Sequence, residues 1–285
     1  MNFANIISEI EKADPEVYER LDTRRNAMKS FARVSGKFAL ASLPLALSAM
    51  FQKAYAAPND AVQDVLNFAL TLEYLEAQFY ANVVASPAYS GISSAAQGAL
   101  SKIAADEAAH VSFLQGVLGG AAVPQPAFDF TAGSGSGNGP FMGYENNYAV
   151  ILAMAQTFED TGVRAYKGQA PNLMSNNEVL TAALQIHSVE ARHASHIRQM
   201  RRALGTAVPS GVDLKPWIYQ NQSAIDAPFN TAVQASYNGE ENTNQAGIET
   251  TTVGGMTFTA NSASGAFDEP LSKDQVLAIV TPFLA

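Results

Sequence analysis

Apolar residues recur in alternating steps of three and four along four stretches of the chain between residues 59 and 205. This period is typical of helices that bury one face in a shared core. Glycine and proline separate the stretches. The pattern predicts four helices. The first begins at Asn59 or Asp60 and ends before Pro87, and the second ends before Gly119. The third spans about 144–167 and ends at Gly168, and the fourth spans about 175–204 with Ser175 as its possible N-cap.

The segments between and after these helices have a different composition. Residues 121–143 are rich in glycine, serine and proline, and so long a loop in a compact domain is typical of a crossover. After Gly205, Gly254-Gly255 lies between β-prone arms and predicts a hairpin, while Ser272 with Gln275 predicts a capped short helix. We expect an all-α fold in which residues 57–205 form a four-helix bundle and residues 206–285 form an irregular extension that packs on it.

Each predicted helix carries one glutamate within its otherwise apolar face: Glu73, Glu107, Glu159 and Glu190. His110 follows Glu107 by three residues, and His193 follows Glu190 by three. This spacing places a carboxylate and an imidazole side by side on one helical face. Two of the four histidines in the chain therefore belong to Glu-x-x-His motifs.

The first and third helices repeat a second pattern. Tyr80 follows Glu73 by seven residues, and Tyr166 follows Glu159 by seven. Each half of the predicted bundle thus consists of a helix with Glu and Tyr, a turn, and a helix with Glu-x-x-His. In an antiparallel helical hairpin, the two glutamates of each half would lie near the same level.

Four carboxylates in one core would repel one another, and burial of each would be costly. Two divalent cations would neutralise the four charges, and the two imidazoles would serve as additional ligands. The chain contains no cysteine, so a metal site must use oxygen and imidazole ligands, which suit iron, manganese or zinc.

The ordered set resembles the ligands of the ferritin-like superfamily, which includes ferritins, bacterioferritins, rubrerythrins and manganese catalases. The resemblance covers about residues 59–205 and implies a centre of two divalent metal ions, iron or manganese. It implies that Glu73 and Glu159 are terminal ligands, that Glu107 and Glu190 bridge the ions, and that His110 and His193 bind one ion each. It also implies that Tyr80 and Tyr166 hydrogen-bond to these carboxylates.

Several residues have alternative interpretations. Glu76 lies three residues after Glu73 and could replace it as the ligand. The two tyrosines could be ordinary core aromatics. His187 faces the predicted site and could support it, or it could be a surface histidine. His196 is expected to be solvated or paired with a carboxylate. The bundle could also keep the fold and bind no metal.

The N-terminal residues 1–56 predict an export signal. Arg24-Arg25 precedes an apolar run over residues 38–51, and Ala54-Tyr55-Ala56 has the small-x-small pattern of a cleavage site. The paired arginines resemble the twin-arginine signal. An uncleaved membrane anchor and an ordinary N-terminal helix are the alternatives. Export machinery would then be a partner, and the location would be the periplasm or cell envelope.

The formal net charge of −9, without a basic cluster, argues against nucleic acid as a partner. Three functional hypotheses follow. The first is a di-metal protein that reacts with dioxygen or peroxide, in iron oxidation or peroxide removal. The second is a metal-binding module without turnover, and the third is a structural or interaction protein of the cell envelope. The C-terminal extension could cover the bundle, limit access to the metals, or form a homo-oligomer contact.

Overall fold

The computed structural model describes residues 60–285, which contain four long helices. They are α1 (Asp60–Val84), α3 (Ser94–Leu118), α4 (Tyr148–Gln169) and α5 (Asn177–Leu204), with the single-turn α2 (Pro87–Ser90) between α1 and α3. The predicted all-α bundle is therefore confirmed. Arg24, Arg25, Ala54 and Ala56 of the predicted export signal lie outside the described residues. No helix within residues 60–285 has the length and apolar content to cross a membrane.

The bundle is built from two helical hairpins. Helix α1 packs most extensively on α3, and α4 on α5. One glutamate from each long helix lies in the bundle core and is 0% exposed: Glu73, Glu107, Glu159 and Glu190. Their burial follows from the helical period, because each glutamate occupies a core position of its helix.

Side-chain caps fix the starts of the second hairpin's helices. The Asn147 side chain accepts hydrogen bonds from the backbone N–H groups of Ala149 and Val150, so α4 begins at Tyr148, after a 3₁₀ turn over Tyr144–Asn146. Helix α5 is capped by Asn176, which accepts from the backbone N–H of Val179 at 3.1 Å. The predictions of a helix start near 144 and of a Ser175 cap are therefore wrong, because asparagines occupy the capping positions.

The crossover between α3 and α4 is held by the C-terminus of the chain. The Asp129 N–H donates to the Phe283 carbonyl at 2.8 Å, and the Ala285 N–H donates to the Ala127 carbonyl at 3.0 Å. Aromatic rings fill the space beneath: Phe79 lies 5.7 Å from Phe130 between ring centroids. The last residues of the chain thus fix the crossover against the aromatic core.

The C-terminal extension contains short elements only: α6 (Asn230–Val233), β1 (Asn244–Gln245), β2 (Ile248–Glu249), β3 (Thr252–Val253), β4 (Met256–Thr257), α7 (Ala260–Ser264) and α8 (Lys273–Val280). The predicted hairpin around Gly254-Gly255 is confirmed, because β3 and β4 pair antiparallel. Both glycines of its turn have positive φ, which glycine adopts without strain. The β1–β2 hairpin was not predicted. The capping box of Ser272 and Gln275 is confirmed.

Buried charges bind the extension to the second hairpin. The Arg164 Nε lies 2.7 Å from Glu240 Oε1, and its Nη groups donate to the carbonyls of Ser236 and Asn238. Gly168, predicted to end the third helix, lies inside α4 instead. A Cβ there would lie 1.9 Å from the Leu271 carbonyl oxygen, so glycine permits the close approach of the extension.

Candidate metal centre

Six side chains from four helices converge in the middle of the bundle: Glu73 of α1, Glu107 and His110 of α3, Glu159 of α4, and Glu190 and His193 of α5. His110 Nδ1 lies 3.1 Å from oxygens of Glu73, Glu107 and Glu190. His193 Nδ1 lies 2.8 Å from Glu107 Oε1 and 3.3 Å from Glu159 Oε2. The structure thus brings together all six residues of the predicted ligand set.

The six residues form two overlapping groups. One contains Glu73, Glu107, His110 and Glu190; the other contains Glu107, Glu159, Glu190 and His193. Within each group, the candidate ligand atoms lie within 4.8 Å of one another. Glu107 and Glu190 belong to both groups, whereas each histidine and each remaining glutamate belongs to one. The geometry therefore offers two neighbouring positions for a cation, with two carboxylates shared between them.

Proton affinities in the cluster are shifted by burial and by neighbouring charges. Burial raises the pKa of Glu73 to about 7, although His110 lowers it. Burial also raises the pKa of Glu159 well above its usual value. For His110 and His193, burial lowers the pKa, but the surrounding carboxylates outweigh burial and raise it. Without another cation, the cluster therefore holds protons that isolated side chains would release near neutral pH.

Several polar atoms of the cluster are buried without a hydrogen-bond partner among the described residues. They are Glu107 Oε1, Glu159 Oε2, both carboxylate oxygens of Glu190, and His193 Nδ1. His193 Nδ1 and Glu107 Oε1 are close, but their arrangement does not make a hydrogen bond. Buried polar atoms normally have a hydrogen-bond partner, and a cluster of such atoms without one is explained by a bound ion. The residues present therefore fit the pair of divalent ions that the sequence pattern suggests.

Two tyrosines hold the carboxylates that belong to single groups. The Tyr80 hydroxyl of α1 donates to Glu159 Oε1 of α4. The Tyr166 hydroxyl of α4 donates to Glu73 Oε1 of α1, at 2.5 Å. Each tyrosine thus binds the glutamate of the opposite hairpin. Each tyrosine binds only Oε1 of its glutamate. The other oxygen, Oε2, lies near a histidine: His110 for Glu73 and His193 for Glu159.

Comparison with known proteins agrees with this arrangement. A family model described as the ferritin-like domain matches residues 61–203, which is half of the chain. The chain belongs to the ferritin-like domain family. No curated protein and no solved structure matches it. The match spans all four long helices, so the ferritin-like fold and the buried cluster are properties of one domain.

Asp106 supports the ferritin-like cluster from outside, and sequence reasoning missed it. Its Oδ2 lies 3.3 Å from His193 Nε2, the ring nitrogen that faces away from the cluster. Partial burial raises the pKa of Asp106, but Lys102 and His193 outweigh this effect and lower it. A carboxylate behind a metal-binding histidine fixes the ring and its tautomer. The adjacent acidic pair Asp106-Glu107 was the available signal, but it does not reveal a contact with another helix.

Glu76 is a fifth buried carboxylate beside the ferritin-like cluster. It is 3% exposed, and its pKa is raised well above the usual value by burial and by Glu190, Glu107, Glu159 and Glu73. A Cβ at Gly162 would lie 3.2 Å from Glu76 Oε1. Glu76 therefore occupies the space that Gly162 leaves open. Both carboxylates are buried, but of the two only Glu73 belongs to a candidate ligand group.

The other two histidines lie apart from the cluster. His187, which the helical phase placed toward the site, has its Nδ1 3.0 Å from the Val163 carbonyl oxygen. It thus contacts the α4 backbone about one helical turn after Glu159. His196 is exposed, as expected. The predicted support of the site by His187 is not seen in its hydrogen bonding.

Proposed function

We propose that this ferritin-like protein binds two divalent ions, iron or manganese, and uses them in redox chemistry with dioxygen or peroxide. The observation that carries the proposal is the pair of overlapping candidate ligand groups, which contain buried polar atoms without a hydrogen-bond partner among the described residues. Four carboxylates would neutralise two divalent cations, and oxygen with imidazole ligands suits both metals.

Each ion would have one histidine, one unshared glutamate and the two shared glutamates. Glu73 and His110 would hold one ion, Glu159 and His193 would hold the other, and Glu107 and Glu190 would bridge them. When bound, such ions supply reversible one-electron chemistry and positions at which a small oxidant can coordinate. The chain supplies the arrangement of the ligands and their separation from bulk water.

The residues around the ligands have distinct tasks in this proposal. Tyr80 and Tyr166 fix the unshared glutamates and leave one oxygen of each for a metal ion. Asp106 orients His193 and favours the tautomer with a proton on Nε2. The buried ligands must lose their protons when metal binds, so metal binding would release protons to solvent.

Metal analysis of protein purified without added metal, together with dioxygen and peroxide consumption, tests this function. We expect about two ions per chain in the wild type, and loss of one ion and of consumption in Glu159→Gln. Glu178→Gln is the matched control, because Glu178 is an exposed glutamate in the first turn of α5. Metal without consumption would favour the metal-binding module over the enzyme. Wild-type protein that takes up neither iron nor manganese would contradict the proposal.

We also propose that the chain is exported, on the pattern of residues 24–56 alone. Export by the twin-arginine route would fit a protein that receives its metal before translocation. Intact-mass analysis of protein from fractionated cells should find a mature chain that begins after Ala56, and Arg24→Lys with Arg25→Lys should retain the precursor inside the cell. A full-length chain in the cytoplasmic fraction of the wild type would contradict export.

A further inference from the structure

A cleft lies between the second hairpin and the C-terminal extension, and none of the six candidate metal ligands lines it. Its walls include Val163 of α4, Ala194 and Arg198 of α5, and Trp217 and Asp268 of the extension. The part that a water-sized sphere can occupy has a volume of about 210 Å³. One water molecule needs about 10–15 Å³ of such space, so the cleft has room for a small organic molecule.

Arg198 brings a buried guanidinium group with one unused nitrogen to the cleft. Its side chain is 2% exposed, and its Nε and Nη2 donate to the two carboxylate oxygens of Asp160. The third nitrogen, Nη1, makes no hydrogen bond within residues 60–285. A buried donor without a partner is costly, so an oxygen atom of a molecule in the cleft would stabilise it. Because Asp160 balances the guanidinium, this ion pair adds no net charge to the cleft.

Asp268 brings a carboxylate that lacks a partner. It is half-buried, and its side chain makes no hydrogen bond or ion pair within the described part of the chain, since Lys167 donates to its backbone carbonyl. Burial raises the pKa of Asp268 and Asp160 adds to the rise, which the basic residues nearby offset only in part. No cation thus compensates the partial burial of this carboxylate. The cleft therefore carries one unbalanced negative charge.

Trp217 supplies an aromatic wall. It is the only tryptophan of the chain and is 51% exposed. One edge of its indole lies against Gly265, where a Cβ would come within 3.0 Å of Nε1, so glycine permits this close packing. The face of an indole ring attracts cations more strongly than other aromatic side chains do. Beside it, Val163 and Ala194 offer hydrocarbon that would contact methylene groups.

We propose that this cleft binds a small protonated amine that also carries an oxygen acceptor, such as an amino alcohol. The ammonium group would pair with Asp268 and contact the indole of Trp217, and the oxygen would accept from Arg198 Nη1. An anion would meet the unpaired Asp268 and an arginine that is already neutralised. The formal net charge of the chain, −9, also favours a cation. The proposal does not depend on metal binding, because the cleft and the candidate metal centre share no residue.

Fluorescence and calorimetric titration of the full chain with aminopentanol, whose amine and hydroxyl lie at opposite ends, tests this site. Trp217 is the only tryptophan, so its emission reports on the cleft. Pentanediol with terminal hydroxyls is the matched probe, because it replaces only the ammonium group. We expect saturable binding of the amine at neutral pH and roughly tenfold weaker binding of the diol. No saturable binding of the amine, or equal binding of both probes, would overturn the proposal.

Variants of the cleft locate the binding. Asp268→Asn should weaken the binding of aminopentanol roughly tenfold, because it removes only the charge of the carboxylate. Asp274→Asn is the matched control, since Asp274 is exposed in the first turn of α8 and does not line the cleft. Trp217→Leu, measured by calorimetry, should weaken binding about threefold and serves as the second variant if Asp268→Asn does not fold. Unchanged affinity in the folded cleft variants would overturn the proposal.

Discussion

The two helical hairpins use the same pattern at the site and different residues around it. In the first hairpin, Tyr74 follows Glu73 by one residue and Gln115 follows Glu107 by eight. In the second hairpin, Asp160 follows Glu159 by one residue and Arg198 follows Glu190 by eight. In the first hairpin, the Gln115 amide donates to the Tyr74 hydroxyl at 2.8 Å. In the second, the equivalent residues form a buried ion pair between Arg198 and Asp160. Equivalent positions thus carry a neutral contact in one hairpin and a charged contact in the other.

The difference follows from what covers each hairpin. The C-terminal extension packs on the second hairpin, and the Tyr237 hydroxyl of the extension donates to Asp160 at 2.9 Å. Burial beneath the extension strengthens charge pairing and makes an unpaired charge costly. Two further positions break the symmetry near the ligands, since Glu76 corresponds to Gly162 and Asp106 corresponds to Val189. The repeated residues therefore form the candidate centre, and the unmatched residues make its two halves unequal.

Removal of the charged contact should have the largest effect. Arg198→Met leaves Asp160 buried without its cation and should lower the free energy of unfolding by about 3–5 kcal/mol. The equivalent change in the first hairpin, Gln115→Met, removes one hydrogen bond and should cost about 1 kcal/mol. Chemical denaturation of both variants measures the difference. Similar losses in the two variants would show that the extension does not depend on this ion pair.

The metal-free protein should become less stable as the pH rises. Glu73, Glu76 and Glu159 have raised pKa values in the folded chain, so the folded state binds more protons than the unfolded state above about pH 4.5. The two histidines act in the same direction above pH 6.5, because their folded pKa values are also raised. Between pH 5 and pH 8, Tm of chelator-treated protein should fall by about 5 °C or more.

Metal should reverse this dependence, because it stabilises the deprotonated ligands. Calorimetry across the same pH range, with and without Mn²⁺, measures both curves. Glu76→Gln should flatten the metal-free curve, since it removes a buried acid that Gly162 does not match in the second hairpin. A metal-free Tm that rises from pH 5 to pH 8 would contradict the pKa directions.

The smallest expected effect is on the affinity of only one of the two metal positions. Asp106→Asn weakens the support behind His193 and leaves His110 unchanged, so one of two bound ions should bind about 10–100-fold more weakly. Val189 occupies the matching position in the second hairpin, and Val189→Ala should leave both affinities nearly unchanged. Competition titrations with a chelating dye resolve the two steps. Equal weakening of both steps would show that Asp106 acts on the whole centre.

The candidate ligands could be predicted from sequence because their positions depend on local geometry. A spacing of three residues places Glu107 beside His110 in any helix, and the helical period places both in the core. Asp106 could not be predicted, since its contact with His193 depends on how α3 lies against α5. The caps also depended on local detail, because Asn176 and Ser175 are adjacent and both can cap a helix.

The buried cations were harder to predict than the carboxylates. Arg164, Arg198 and Arg201 are each at most 2% exposed, although arginine is usually a surface residue. Their partners lie on the extension or on another helix: Arg201, for example, donates to Gln156 of α4 and to the Ala224 carbonyl. Pairings across such long sequence separations leave no periodic pattern in the chain. The docking of the extension was therefore expected only in outline.

Titration of the chelator-stripped protein with Mn²⁺ tests the central claim most directly. The wild type should bind about two ions per chain, His110→Ala and His193→Ala about one each, and the double variant none with measurable affinity. Circular dichroism should show that the variants keep the helical fold. Wild-type protein that binds no Mn²⁺, or a double variant that binds as many ions as the wild type, would contradict a di-metal centre at these residues.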